Sequence, residues 1–260
     1  MIIQQPTVTL GDLTSAPALL SLFGVAVITV LFALYANGAI LIGILATTVV
    51  GLIVGIITFQ GIVAARPSIA PTLFKLQIPN IFADSKLIAV FIFLDLFDTV
   101  GTLIGVSQQA GLMVKGKLPK ARQALLSDAV ATSAGALPGT STVTSYIESA
   151  SGISVGGRTG LTNIVTAALM LLALFFNPLI KMVGAGYAVG ENTVLYPVIA
   201  PALIIVGSLM LNNVLHINWK DTTEAFPAFL TLMMMPVAFS ITEGIAFGFI
   251  VYALLKLVSR

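Results

Sequence analysis

Cysteine is absent from the 260 residues, so neither a disulfide nor a thiolate nucleophile is available. Histidine occurs once, at His216, which excludes a His-rich metal site. Charge is scarce: Asp, Glu, Lys and Arg make up 8% of the chain, where a soluble domain carries about 25%. The net charge of +2 is small and scattered, which argues against a nucleic-acid partner. Met1 to Ser15 holds no Lys or Arg, so no signal-peptide pattern opens the chain. No cofactor and no metal is expected. What remains is apolar, with 58% hydrophobic residues and a mean hydropathy of +1.07. Such a chain is an all-α polytopic membrane protein, because lipid offers no partner to unpaired backbone groups.

The hydropathy pattern predicts a first span over Ala16–Tyr35, closed by the turn signal Asn37-Gly38, and a second over Ala39–Thr58. Phe59 to Ser85 is a mixed connection with Pro67, Pro71 and Pro79, suited to an amphipathic piece on the interface. Lys86–Val106 is an acidic span, followed by the densest basic cluster: Lys115, Lys117, Lys120 and Arg122. Ala121–Leu137 is rich in Ala, Ser and Thr, a composition that suits close helix packing. A polar run, Pro138–Gly157, comes next. Thr159–Val183 is a span, Gly184–Asn192 a Gly-rich loop, and Thr193–Leu211 a further span. Val214–Glu224 is a polar connection with Trp219 as an interfacial anchor, and Ala225–Ser240 and Ile241–Val258 form a last pair, interrupted near Pro236 and Glu243. Counting the polar run, about nine membrane elements are expected at ~20 residues each. The positive-inside rule places Lys115–Arg122 in the cytoplasm, with Arg158, Lys220, Lys256 and Arg260. Met1–Ser15 then falls outside, which points to preceding sequence; the three basic residues of the Arg66–Lys86 connection are the exception to the rule.

Chemistry concentrates in two places. The run FIFLDLFDTVGTLIG, Phe91 to Gly105, carries Asp95 and Asp98 three residues apart, on one face of a helix. A carboxylate at membrane depth costs at least ~2.5 kcal/mol, so two of them imply a polar cavity or a partner. The partner candidate is Glu148, inside GTSTVTSYIESASG, Gly139 to Gly152. The alternation Thr142-Val143-Thr144 and Tyr146-Ile147 favours an extended segment. Extended backbone at membrane depth is tolerated where it lines a cavity, and broken segments of this kind mark binding sites in secondary transporters. An ordinary Ser/Thr/Gly loop outside the membrane is the competing reading. Low dielectric favours the neutral form of a carboxylate, the physical requirement for proton coupling. A carboxylate can also accept hydrogen bonds from the ring N–H groups of a planar heterocycle. The expected site therefore lies between Asp98 and Glu148.

Other acids have plainer readings. Asp95 either supports the site or makes a structural hydrogen bond to a neighbouring helix. Asp128 is a packing contact, or a partner to Lys120 or Arg122. Glu191 is a loop residue, and Glu243 is expected to cap the last helix. An intramembrane aspartyl protease would also use two carboxylates, but its Gly-x-Gly-Asp signature is absent.

The stretches DLFDTVGTLIGVSQQAGL, GKLPKARQALLSDAVAT and GTSTVTSYIESASGISVGGRTGLT closely resemble the AzgA-like purine permeases of the second nucleobase–cation symporter family. The likeness runs on through APALIIVGSLM and DTTEAFPAFLTLMMMP to ITEGIAFGFIVYALLK. The resemblance implies a fold of two inverted seven-segment repeats with a core and a gate domain. This chain would be its C-terminal part, lacking roughly the first five segments. Residues 1–85 would hold two gate-type helices and a connecting loop, 86–183 the core segments with the substrate site, and 184–260 further gate helices. Thr142–Tyr146 would be the short strand of a broken segment. Asp98 and Glu148 match the family's two acidic positions and would bind the purine and couple the proton. Thr144, Ser149 and the backbone around Ile147 would help, with Asp95 and Asp128 in support. The implied activity is import of hypoxanthine, guanine or adenine with protons, by a multi-pass protein of a prokaryotic cell membrane that dimerises through gate helices. Uracil or xanthine transport on the same fold is the alternative, as is a fragment or split-gene subunit that works only with its missing N-terminal half.

Overall fold

The structure, a computed structural model, describes residues 12–65, 67–76, 85–189 and 193–259. Asp12 to Met210 form one compact unit and Leu211 onward belong to a second, so each is taken by itself.

In the first unit, α1 (Ala16–Ala33) and α2 (Ala39–Ile53) are antiparallel neighbours joined at Gly38, whose φ of +76° makes the tight turn expected from Asn37-Gly38. Both helices pack on α8 (Ala200–Met210). Small residues allow the approach: a Cβ at Gly24 would stand 2.7 Å from Pro201 Cγ and from Thr47 Oγ1. The Thr47 hydroxyl is satisfied within its own helix by donating to the Gly43 carbonyl at 2.7 Å. In lipid such packing gains van der Waals contact rather than exclusion of water, which is why Gly, Pro and Thr sit at the junction. Ile57, Met182 and Val198 form the buried core beneath it.

Next come α3 (Ser85–Gln109), α4 (Ala121–Ala136) and α5 (Ser149–Ser154). Among the described residues of α3 the buried ones are Thr99, Thr102, Gly105 and Ser107, in its C-terminal half, whereas Phe91, Ile92 and Phe93 are exposed. Helix α6 (Gly160–Ala173) continues through a 3-10 turn at Leu174–Phe176 into α7 (Asn177–Val183), where Pro178 occupies a first-turn position that needs no N–H. The connection after α2 lies against this break. The Ala64 N–H donates to the Phe175 carbonyl at 3.0 Å, and the Gln60 N–H meets Met182 Sδ at 3.3 Å. The interfacial amphipathic piece expected within Phe59–Ser85 falls partly on residues 77–84, outside the described residues. Arg66 and Glu191 also lie outside them.

Two expectations need correction. Gly184–Asn192 is not wholly a loop, and no helix begins at Thr193. Instead β1 (Tyr187–Val189) pairs antiparallel with β2 (Thr193–Leu195) in the register Tyr187 to Leu195. Thr, Val, Leu and Tyr favour strand, and Pro197 and Pro201 delay the helix until Ala200. Among the described residues, β1 and β2 are the only strands, and the other regular elements are helices.

In the second unit a 3-10 turn (Leu211–His216) precedes an antiparallel pair, α9 (Thr222–Ala238) and α10 (Ile241–Val258). Helix α9 starts earlier than Ala225 because Asp221 caps it, its carboxylate accepting from the Thr223 N–H at 2.9 Å. The helix also continues past Pro236, and ends at Phe239, with φ at +50°. Ser240, not Glu243, caps α10: its hydroxyl accepts from the Glu243 N–H at 3.2 Å. The pair packs closely at Gly244, against Met235, and at Gly248, against Thr231.

Among the described residues four helical stretches are long and apolar enough to cross a membrane: Ala16–Ala33, Val90–Gln109, Gly160–Val183 and Ile241–Val258. Of the other expected elements, α2 is shorter, ~22 Å at 1.5 Å per residue, and residues 140–146 are extended rather than helical.

Candidate functional site

The site elements are α3, α4 and the chain between α4 and α5. Residues 140–146 are neither helical nor paired with another strand. Two local features hold them extended. Thr132, on α4, grips Val143 twice: its hydroxyl donates to the Val143 carbonyl at 2.9 Å and accepts from the Val143 N–H at 3.1 Å. Gly135, one turn further on, leaves room for the segment, since a Cβ there would stand 2.7 Å from Thr140 Oγ1 and 2.8 Å from Val143 Cγ2. The turn into the segment is fixed by the Thr140 N–H, which donates to the Gly135 carbonyl at 3.0 Å. A neighbouring loop steadies the end of α4: the Phe74 N–H donates to the Leu137 carbonyl at 2.9 Å, and the Thr72 hydroxyl to the Pro138 carbonyl at 2.6 Å.

Apart from Val143, the backbone N–H groups from Ser141 to Ile147 have no partner among the described residues. In lipid such donors would be costly, so this edge needs water, protein or a polar ligand against it. Glu148 follows at once, at the start of α5, where the chain turns helical. That short helix occupies Ser149–Ser154, just after the extended stretch. Ala150 and Ile153 are its buried side chains. Gln109, at the end of α3, donates through Nε2 to the Ala150 carbonyl at 3.4 Å and so ties α5 to α3. Oε1 of the same amide is buried without a partner.

On α3 the carboxylates differ. Asp95 is half-buried, and its Oδ1 is buried with no hydrogen-bond partner, so this oxygen makes no structural bond to a neighbouring helix. Asp98 is exposed, as are Ile147, Glu148 and Ser149, whereas Thr144 is half-buried. No hydrogen bond or ion pair joins Asp98 to Glu148 among the described residues. The structure instead joins α3 to α4 through Asp128: the Thr99 hydroxyl donates to Asp128 Oδ2 at 3.2 Å, with Thr99 only 2% exposed. Asp128 thus forms a helix–helix hydrogen bond and no ion pair with Lys120 or Arg122. No group of three or more His, Asp or Glu that could hold a metal is present among the described residues.

Sequence reasoning missed Thr132, Gly135 and Gln109. They act across gaps of 5, 11 and 41 residues, and such a residue in a helix carries no local sign of its partner.

Comparison with known proteins adds a second kind of observation. A family model described as the permease family matches residues 1–247. The guanine/hypoxanthine permease PbuG of Bacillus subtilis is 46% identical over 250 residues, covering 94% of this chain and 54% of its own length. The adenine permease AdeP of Escherichia coli is 44% identical over 253 residues, covering 96% of this chain and 54% of its own length. The guanine/hypoxanthine permease PbuO of Bacillus subtilis is 42% identical over 255 residues, with 96% and 57% covered. The chain therefore spans about half the length of the curated relatives it matches.

Proposed function

The chain belongs to the permease family, alongside guanine/hypoxanthine and adenine permeases, and from that premise we propose that it carries purine nucleobases across a cell membrane together with protons. Membership places it with transporters and sets aside the intramembrane protease. The observation that carries the proposal is the open extended edge, Ser141 to Ile147, running directly into Glu148 in a chain otherwise built for lipid. A purine presents both ring N–H donors and ring nitrogen or carbonyl acceptors in one plane. In the proposed site its donors meet the carboxylates of Asp98 and Glu148. Its acceptors meet the free N–H groups near Thr144 and Ile147, with the Ser149 hydroxyl beside them. A proton on one carboxylate neutralises the site for crossing and leaves when the site opens on the other side. Asp95 and Asp128 support this arrangement from the α3 and α4 faces.

The finer architecture is proposed with it. Residues 86–183 act as the core of a seven-plus-seven inverted-repeat transporter, residues 1–85 and 184–260 supply gate segments, and gate helices join two copies. The second wall of the site would then come from sequence beyond these residues. Packing of α1 and α2 on α8 supports grouping the first spans with the segment at Ala200–Met210.

The test is uptake of radiolabelled hypoxanthine by cells lacking their own purine permeases, with the gene expressed together with its flanking genomic sequence. The expected result is uptake blocked by unlabelled hypoxanthine, guanine or adenine and abolished by a protonophore. Absence of uptake, uptake indifferent to the proton gradient, or equal competition by uracil would each overturn part of the reading.

A further inference from the structure

A cleft of about 370 Å³ opens between α3 and the start of α4, and none of the residues assigned to the purine lines it. Leu103, Ile104, Met113, Leu118 and Leu125 form much of its wall, and Lys117 is the one charged residue on its lining. Apart from Lys117, the lining side chains are apolar and offer no hydrogen-bonding partner to the edge of a purine. Leu103 lies six residues before the end of α3, ~9 Å into the span at 1.5 Å per residue. The cleft thus begins at acyl-chain depth and ends at the membrane surface.

Its mouth is cationic. Lys115, with φ at +49°, and Gly116, with φ at +73°, form a turn with both central residues left-handed, closed by hydrogen bonds of 2.9 and 3.0 Å between Val114 and Lys117. The turn holds Lys115 and Lys117 at the rim, and Lys120 and Arg122 follow at once. All four side chains are exposed, and none is ion-paired among the described residues. Between Asp98 and Asp128 the chain has no acidic residue at all. By the positive-inside rule this face meets the leaflet that carries anionic lipid.

We propose that the cleft binds one anionic phospholipid, its acyl chain lying on Leu103, Ile104 and Leu125 and its phosphate held by Lys115 and Lys117. Free phosphate would find the same cations but nothing to do with the apolar wall. A zwitterionic lipid would fill the wall but carry a compensating positive group against the lysines.

The test places a reporter in the cleft. Trp219→Phe removes the chain's single tryptophan, and Leu118→Trp, or Met113→Trp should that variant fail to fold, introduces one at the site. The protein is reconstituted in phosphatidylcholine vesicles doped with dibrominated phosphatidylglycerol or dibrominated phosphatidylcholine. Half-quenching is expected at a phosphatidylglycerol fraction roughly tenfold below that needed with phosphatidylcholine. In the background of Lys115→Gln with Lys117→Gln the difference should vanish, and soluble glycerol phosphate should leave quenching unchanged. Equal quenching by both lipids, or a preference that survives the double substitution, would overturn the proposal. So would relief of quenching by glycerol phosphate, which would show a bare anion site. Absence of quenching by either lipid would show the cleft covered by protein, and would overturn it too.

Discussion

Replacing Thr132 by valine keeps the shape of the side chain and deletes both hydrogen bonds to Val143. The hydroxyl gives one bond at 2.9 Å and takes another at 3.1 Å. At about 0.5–1.5 kcal/mol each, the pair contributes roughly 1–3 kcal/mol towards holding the segment extended. Valine also leaves the Val143 N–H and carbonyl unpaired, which moves the cost towards the upper end. If purine binds only to the ordered segment, that energy is drawn from binding, and at 1.4 kcal/mol per factor of ten the affinity should fall roughly 5- to 150-fold. Thr132→Ser keeps the hydroxyl and should recover most of the loss. The assay is concentration-dependent hypoxanthine uptake in the same genomic context, with membrane protein level measured alongside. The loss should appear in the half-saturating concentration rather than in the amount of protein. A Thr132→Val protein with unchanged uptake would refute the claim that this pair shapes the site. A Thr132→Ser protein as impaired as Thr132→Val would do the same.

Two predictions concern the α9–α10 pair. Gly248→Leu would drive a side chain into Thr231 and the Pro227 carbonyl, which lies 3.3 Å from the position of a Cβ. It should destabilise the pair by about 1–3 kcal/mol, with Gly248→Ala milder, read as a lower unfolding temperature in detergent. Asp221 is held below its ordinary value of 3.8, first by the Thr223 hydroxyl and N–H and then by the Lys256 charge. Its stabilising effect is therefore complete above that ordinary value and fades as pH falls through the lowered one. The unfolding temperatures of wild type and Asp221→Asn should differ at pH 7 and draw together as pH falls below 3.8; parallel curves would count against it.

The helices were legible because their signals are local. Ala16, Ala39, Ala121 and Ile241 start helices where apolar composition says they should. Asn37-Gly38 makes its turn through a left-handed glycine, and the extended stretch at Thr142–Val143–Thr144 follows from β-branched alternation with no helix signal against it. What was not legible is pairing across distance. Nothing near Asp128 announces that its partner is Thr99 rather than Lys120, since opposite charge nearby is the stronger local hint and a buried threonine on another helix leaves no trace in the pattern. The β1–β2 hairpin was hidden for another reason: Thr193–Leu195 reads as apolar continuation of the span that follows, until Pro197 and Pro201 are weighed as barriers to helix.

The central claim is that Asp98 and Glu148 hold a purine together with the open edge between Ser141 and Ile147. Equilibrium binding of radiolabelled hypoxanthine to membranes carrying wild-type protein, Asp98→Asn, Glu148→Gln and Thr144→Ser tests it most directly. Each amide variant keeps size and shape while removing an anionic acceptor, and a charged hydrogen bond contributes about 1.5–3 kcal/mol, so affinity should fall at least roughly tenfold in each. Thr144→Ser, which leaves the backbone N–H in place, should bind as wild type. Undiminished binding by both amide variants would contradict the account.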